Sequence, residues 1–232
     1  MIPFKDDVPT RTRPVVTVTL IVVNCLVFAF QLSLPAESHY ALVHLFGAVP
    51  ARMTKLPLYF APELYNPLVS AFTSMFLHGG WLHLLGNMLY LWIFGNNVED
   101  SMGRMRFVVF YLICGLAAAG LQIARNPVSD VPMIGASGAI AGVLGAYLIL
   151  HPFARVHTLL IIFIFIRVIT LPAIVVLCFW FLIQLMSSLS PAGHQGGVAW
   201  HAHIGGFITG LVLIRFFQRG QRGSFFRNYR WR

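Results

Sequence analysis

Long apolar runs recur along this chain, separated by short polar or charged segments. A helix that crosses a bilayer needs about 20 mostly apolar residues. The runs predict six transmembrane helices, and therefore an all-α polytopic membrane protein built as a six-helix bundle. Their approximate bounds are 14–34, 81–98, 107–123, 137–151, 171–189 and 200–217. The fourth and sixth are short and rich in glycine.

Three parts of this pattern leave alternatives. Arg11 and Arg13 precede the first run, as in a signal peptide, but its apolar core is long and no clear Ala-x-Ala site follows, so a retained helix is preferred. Residues 35–80 form a long connection with many prolines and apolar pieces, which predicts short helices in the membrane interface. Residues 157–170 are apolar and β-branched but interrupted by Arg167, so they either extend the fifth helix or form a separate extended piece.

The composition supports a membrane protein. Hydrophobic residues make up 58% of the 232-residue chain and charged residues only 10%, whereas soluble domains have about a quarter of their residues charged. The three cysteines, Cys25, Cys114 and Cys178, lie in apolar runs without a Cys-x-x-Cys pair. We interpret them as packing residues and not as redox or metal-binding groups.

The basic residues predict the orientation. If the N-terminus is cytosolic, 13 of the 16 lysines and arginines lie on the cytosolic side, and only Arg52, Lys55 and Arg125 lie outside. The positive-inside rule then predicts that both termini are cytosolic. The expected location is the cell (inner) membrane. The basic tail is interpreted as a topology signal or a lipid anchor. RNA binding is less favoured because no nucleic-acid-binding fold accompanies it, so lipids and not nucleic acid are expected partners.

Polar side chains begin three of the predicted helices at the outer side. Ser137 opens the fourth, His203 lies near the start of the sixth, and His83 and Asn87 lie one turn apart at the start of the second. At a rise of about 1.5 Å per residue, all four fall within about 10 Å of the outer helix ends. Polar groups in a membrane usually face a partner or a water-filled cavity.

Small residues predict that the fourth and sixth helices pack closely. Gly138 and Gly142 repeat at four-residue spacing in the fourth, and Ala202, Gly206 and Gly210 do so in the sixth. Such faces let helix backbones approach in lipid. A simpler interpretation of Ser137 is therefore that it is one small member of a packing seam.

The combination of polar residues favours nucleophilic chemistry. A serine needs a base to remove its proton, and His203 would be that base. The free N–H groups at the start of the fourth helix, with His83 and Asn87, would suit an oxyanion. Glu99 and Asp100 lie near the cytosolic end, about a membrane's width away, so the sequence offers a Ser–His dyad and no carboxylate.

Four motifs make the chain resemble the rhomboid intramembrane serine proteases of the compact six-helix bacterial type. They match in order and over nearly the whole chain: His83-Leu-Leu-Gly-Asn87, Gly95-Asn-Asn-Val-Glu99-Asp-Ser-Met-Gly103, Gly135-Ala-Ser-Gly138 and Ala202-His-Ile-Gly205. The resemblance implies that Ser137 is the nucleophile and His203 the general base, with His83, Asn87 and the Ser137 N–H at the oxyanion. It implies a structural role for Glu99, and we expect the same of Gly135 and Gly206.

The resemblance also implies transmembrane protein substrates, cut at or near the membrane face, and no metal or cofactor. It predicts a rhomboid protease domain over residues 14–218, with a cytosolic segment at 1–13 and a basic cytosolic tail at 219–232. The site is expected to open to the outer face beneath a glycine-rich loop at 190–198. No particular oligomeric state is predicted.

The chain departs from the family pattern in two places. The Trp-Arg pair of the first loop is absent, although Arg52 is nearby. The aromatic residue that many relatives have four places after the serine is replaced by Ala141, so His203 would need support from Trp200 or from packing alone. His201, two residues before the base, points some 200° away from it on a helix and is expected to be interfacial, with a rival role as base as the alternative.

Two other functions compete with proteolysis. A non-proteolytic rhomboid-like protein would bind membrane substrates without cutting them, but such relatives lack the serine or the histidine. A metal-binding protein or transporter is disfavoured because the His-Glu-x-x-His motif is absent and the outer histidines lack carboxylates at ligand spacing.

Overall fold

The computed structural model describes residues 1–54, 66–162, 165–190 and 198–219. The predicted basic tail therefore lies outside the described residues, except for Arg219. The same is true of Lys55 and of most of the predicted loop at 190–198.

Helices dominate the described part of the chain. Their bounds are Val15–Ser33 (α1), Ala36–Phe46 (α2), Pro50–Thr54 (α3), Pro67–Thr73 (α4), Trp81–Tyr90 (α5), Asn96–Met102 (α6), Arg104–Arg125 (α7), Ser137–Leu150 (α8), Ala173–Leu189 (α9) and Trp200–Phe217 (α10). A 3₁₀ turn, Ser74–Phe76, follows α4, and a π-helical turn, Leu91–Gly95, joins α5 to α6. The short helices α2 to α4 occupy the connection for which short helices were predicted.

Helices lie at all six predicted apolar runs. Among the described residues, α1, α7 and α10 are long and apolar enough to cross a membrane. The pair Pro67–Phe76 and Trp81–Met102 qualifies when taken together, with a bend of 83° between its two parts, whereas α8 and α9 are apolar but shorter. A mostly helical protein with several candidate membrane spans is thus confirmed, and the number of six crossings stays a prediction.

The all-α prediction is wrong in one respect, because the chain also contains a three-stranded antiparallel sheet. Strands Arg155–Ile162 (β2) and Phe165–Pro172 (β3) pair antiparallel, so residues 157–162 and 165–170 form the extended piece and are not part of the fifth helix. Strand Ile2–Asp6 (β1) pairs with the other edge of β2. Pro3, which lacks an N–H group, is compatible with β1 because β1 is an edge strand.

Strand β1 also contacts the helical bundle at the C-terminal end of α8. The Tyr147 hydroxyl of α8 donates a hydrogen bond to the Asp6 carboxylate, and His157 of β2 lies 2.8 Å from Asp7. Burial raises the pKa of the Asp6 carboxyl, and the hydrogen bond from Tyr147 opposes this shift. The predicted N-terminal segment is therefore an ordered part of the fold.

Helix α8 is the centre of the bundle. All ten residues from 138 to 147 are buried, on every side of the helix. A methyl group at Gly142 would collide with Cys114 of α7, and one at Gly206 of α10 would collide with the carbonyl of Gly138. The predicted small-residue seam thus brings α8 and α10 together backbone to backbone.

Of the acidic side chains of α6, Glu99 caps the start of α1 and Asp100 binds the segment just before it. The Glu99 carboxylate is 1% exposed and accepts hydrogen bonds from the backbone N–H groups of Val16 and Thr17, at 3.0 and 2.8 Å, and from the Thr17 hydroxyl at 2.8 Å. Asp100 accepts from the backbone N–H of Thr12 at 2.9 Å. The first N–H groups of a helix have no partner within the helix, and the negative charge also complements the helix dipole.

Replacement of Glu99 by alanine is expected to lower the free energy of unfolding by about 1–3 kcal/mol, because buried donors lose their acceptor. Glu99→Gln keeps one carbonyl oxygen and should lose less. The measurement is thermal unfolding in detergent micelles, after replacement of the exposed Cys25 and Cys178, followed by labelling of the buried Cys114 with a fluorogenic thiol reagent. Equal unfolding midpoints for Glu99→Ala and the unmodified protein would contradict this prediction.

Candidate active site

Ser137 is the first residue of α8, and Gly135 shapes the turn before it. Gly135 has φ of +120°, in the region that favours glycine, and its N–H donates to the Ser74 carbonyl at 2.9 Å. A Cβ at this position would lie 2.6 Å from Nε2 of His83. Both the backbone angle and the space therefore require a glycine here.

The serine and the predicted base are in direct contact. Oγ of Ser137 lies 2.8 Å from Nε2 of His203, although the two residues are 66 positions apart in the sequence. Gly206 lies one turn beyond His203 on α10, and its contact with Gly138 fixes the separation of the two helices beside this pair. The backbone seam thus sets the distance between the two side chains.

A third residue, Gln184 of α9, completes the hydrogen bonds of the imidazole. Its Oε1 lies 2.7 Å from Nδ1 of His203, and its side chain is buried. The rings of Trp180 and Trp200 also contact His203, with centroids 5.9 and 6.1 Å away. The predicted support from Trp200 is therefore present, but it is only one part of the support.

The motifs of the sequence do not identify Gln184. The signal available was its polarity, because eleven apolar residues precede it in α9. A carboxamide inside an apolar helix is costly unless it has a partner. The sequence does not say which of the other helices supplies that partner.

The side chains of His83 and Asn87 approach the same turn from α5. If Gly135 carried a Cβ, that atom would lie close to Nε2 of His83 and 3.6 Å from Nδ2 of Asn87. The Gly79 N–H donates to Nδ1 of His83 at 3.4 Å, so in the neutral ring Nε2 carries the proton. Both groups are therefore hydrogen-bond donors within reach of the turn that precedes Ser137.

A buried histidine that the motifs do not identify orients Asn87. Nε2 of His78 lies 3.0 Å from Nδ2 of Asn87, and Nδ1 of His78 lies 3.3 Å from the Phe76 carbonyl. Because that carbonyl only accepts, Nδ1 of His78 is the donor and Nε2 accepts from the Asn87 amide. His78 also makes an edge contact with the ring of His83, with centroids 5.1 Å apart.

A cavity of about 950 Å³ is lined by Ser137, His203, His83 and Asn87. The cavity lies at the N-terminal ends of α5, α8 and α10. Strand β2 follows the opposite, C-terminal end of α8. The two ends of this 14-residue helix are about 20 Å apart. Glu99 lies twelve residues beyond Asn87 and is not part of this group. Within the described ranges, no cluster of three or more His, Cys, Asp or Glu residues could hold a metal ion.

The chain is similar in sequence to proteins of one family. The model of the Rhomboid domain matches residues 65–220. The Rhomboid protease GluP of Bacillus subtilis (strain 168) is 38% identical over 146 residues, which cover 61% of this chain and 25% of that protein. The Rhomboid-like protease 5 of Toxoplasma gondii is 32% identical over 153 residues, or 64% of this chain and 16% of that protein.

A shorter match involves RHOMBOID-like protein 5 of Arabidopsis thaliana, which is 38% identical over 76 residues, or 33% of this chain and 25% of that protein. The chain thus spans a quarter or less of the length of these relatives. The domain model nevertheless covers well over half of the chain, including Ser137 and His203. The chain belongs to the rhomboid family.

Proposed function

We propose that this protein is an intramembrane serine endopeptidase in which Ser137 is the nucleophile and His203 the general base. The contact of 2.8 Å between Oγ of Ser137 and Nε2 of His203 supports this function more than any other observation. The pair faces a cavity at one end of an apolar helical bundle, and two relatives are named as rhomboid proteases. The chain has both reactive residues, which favours a protease over a rhomboid-like protein that only binds membrane proteins.

The geometry suits acyl transfer. Nε2 of His203 takes the hydroxyl proton while Oγ of Ser137 forms a bond to the carbonyl carbon of the scissile peptide. The tetrahedral intermediate collapses when the imidazolium gives that proton to the leaving amine and the C–N bond breaks. A water molecule then gives a proton to His203 while its oxygen bonds to the acyl carbon of the ester. The bond from that carbon to Oγ breaks as His203 returns the proton to Oγ, which releases the carboxyl product and restores the serine.

Three donors are positioned for the negative charge that forms on the carbonyl oxygen. We assign them as Nε2–H of His83, the amide of Asn87 and the backbone N–H of Ser137 at the start of α8. Donors aimed at the developing charge lower the barrier because they need no reorganisation during the reaction. The neutral donors also avoid the cost of an unpaired charge in an apolar bundle.

We propose that six helices cross the cell (inner) membrane, namely α1, the continuous α5–α6 helix, α7, α8, α9 and α10, in a domain of residues 14–218. Both termini, including the segment at 1–13 and the tail at 219–232, would be cytosolic. Basic residues support this orientation, because Lys5, Arg155 and Arg167 lie in the sheet, at the end of α8 opposite to the cavity. The cavity would then open to the outer face, and the substrates would be transmembrane proteins surrounded by lipid.

Ser137→Ala and His203→Ala are both expected to abolish cleavage, with losses of about 10⁶-fold that reach the limit of detection. His201→Ala should keep most of its activity, because the imidazole that contacts Ser137 is that of His203. Cleavage of a model transmembrane substrate in liposomes measures all three. Full activity of Ser137→Ala would exclude a serine protease, and a protein that binds the substrate but never cleaves it would favour the binding alternative.

His83→Ala and Asn87→Ala are expected to lower kcat without abolishing it. Removal of one oxyanion donor costs about 10²–10³-fold in a soluble serine protease, and the remaining donors reduce the loss here. His44→Ala is the matched control, because the imidazole of His44 bonds to the Tyr40 carbonyl within α2, and His44 does not line the cavity. An unchanged kcat in the His83→Ala/Asn87→Ala double variant would remove both residues from the mechanism.

The outward opening is tested by cysteine labelling. After Cys25, Cys114 and Cys178 are replaced, a cysteine at position 137 or 203 should react with a small impermeant thiol reagent added to the outer face. Arg167→Cys, on the exposed surface of β3, is the control and should react only from the cytosolic side. Labelling of position 137 only from the cytosol would overturn the orientation, and labelling from neither side would contradict an open cavity.

A further inference from the structure

We propose that Gln184 is the positioning residue of His203, and that it holds the imidazole in the tautomer that accepts a proton from Ser137. This inference rests on the function proposed above. Gln184 would take the place that a carboxylate occupies in soluble serine proteases. Ala141, the residue four places after the serine, is a small buried side chain and supplies no aromatic surface for the ring.

A second hydrogen bond fixes the orientation of the Gln184 amide. Its Nε2 donates to the backbone carbonyl of Trp180, one turn earlier in α9, at 3.2 Å. A carbonyl oxygen only accepts, so the NH₂ group must face Trp180. The other end of the amide, Oε1, therefore faces His203.

The orientation of the amide in turn fixes the imidazole. Oε1 of Gln184 lies 2.7 Å from Nδ1 of His203 and only accepts, so Nδ1 carries the proton in the neutral ring. Nε2 then has the free lone pair, and this is the atom that lies 2.8 Å from Oγ of Ser137. The donor of each hydrogen bond is therefore fixed: Ser137 donates to His203, His203 donates to Gln184, and Gln184 donates to the Trp180 carbonyl.

Packing leaves the ring and the amide little freedom. Gln184 is only 5% exposed, and it projects from a 17-residue helix. The Trp200 ring is perpendicular to the imidazole, at an interplanar angle of 88°, and Trp180 lies at 39° to it. The tryptophans restrict the position of the imidazole, but they do not distinguish its two nitrogens. The hydrogen bond between Gln184 and Nδ1 makes that distinction.

A neutral acceptor has a different chemical consequence from a carboxylate. Hydrogen bonds to a charged acceptor are roughly twice as strong as neutral ones, and a carboxylate would stabilise the imidazolium further by its charge. An amide fixes the tautomer without this added stabilisation and without a buried charge. The base form of His203 therefore persists to lower pH than it would beside a carboxylate.

Two substitutions test the proposal in the full-length protein reconstituted in liposomes. Gln184→Leu removes the acceptor at similar size and should lower kcat for a model transmembrane substrate about 10–100-fold, with KM changed by less than twofold. Gln184→Glu restores an acceptor and adds charge, so it should retain more activity than Gln184→Leu. It should also move the acidic limb of the kcat/KM profile upward by about one pH unit or more.

A spectroscopic measurement separates positioning from a general structural role. With ¹⁵N-labelled histidine, the His203 ring should be protonated at Nδ1 in the unmodified protein and should become a mixture of tautomers in Gln184→Leu. Gln31→Leu is the matched control, because Gln31 is also buried but bonds to the backbone of His78. It should lower thermal stability without moving the pH profile or the His203 tautomer.

Each result decides between the proposals. Unchanged kcat, pH profile and tautomer in the Gln184 variants, with Ser137→Ala inactive, would overturn the role of Gln184 and leave the proposed function standing. Full activity of Ser137→Ala would instead overturn the proposed function. Substrate affinity is compared in Ser137→Ala with and without Gln184→Leu, and a loss of binding there would show a folding defect and overturn the positioning role.

Discussion

The contact between the backbones of α8 and α10 is the constraint on which the rest of the structure depends. Methyl groups at Gly206 and Gly210 would meet the carbonyls of Gly138 and Gly142, and one at Gly145 would meet the carbonyl of Phe207. At these three glycines the backbones of the two helices meet directly. The first turns of both helices continue the same seam. Ser137 and His203 lie in these turns, so their side chains come within hydrogen-bond distance although neither side chain is long.

Neutral groups surround this contact. Imidazoles, carboxamides and one hydroxyl satisfy each other in a directed network, from Trp180 through Gln184 and His203 to Ser137, and from Phe76 through His78 to Asn87. A buried ion would need strong pairing in such surroundings, whereas neutral groups need only correct orientation. The carboxylates Glu99 and Asp100 lie at the other end of the α5–α6 helix. The N-terminus of α1 supplies the donors to Glu99, and Thr12 in the segment before α1 donates to Asp100.

The sequence was informative where structure is determined locally. An apolar run in a membrane must satisfy its own backbone, so the helices lie where hydropathy predicts them, and the four-residue spacing of glycine and alanine predicted the α8–α10 seam. Ser137, His203, His83 and Asn87 were named from the sequence, and they lie around one cavity. The strands were less predictable, because β1 becomes a strand only by pairing with Val156 to Leu159, far along the chain.

The sequence by itself determined the membrane class and the helices, because hydropathy and small-residue spacing act within one helix, and its motifs named four of the polar residues that line the cavity. The tertiary structure alone decided which polar groups meet. In the sequence, Gln184 is only a carboxamide in an apolar helix, and its bond to His203 depends on the packing of α9 beside α10. His78 is likewise only a histidine in a loop, and its role depends on its bond to Asn87. Hydrogen bonds between helices depend on the rotation and depth of both partners, which packing of the whole bundle sets and no local pattern encodes.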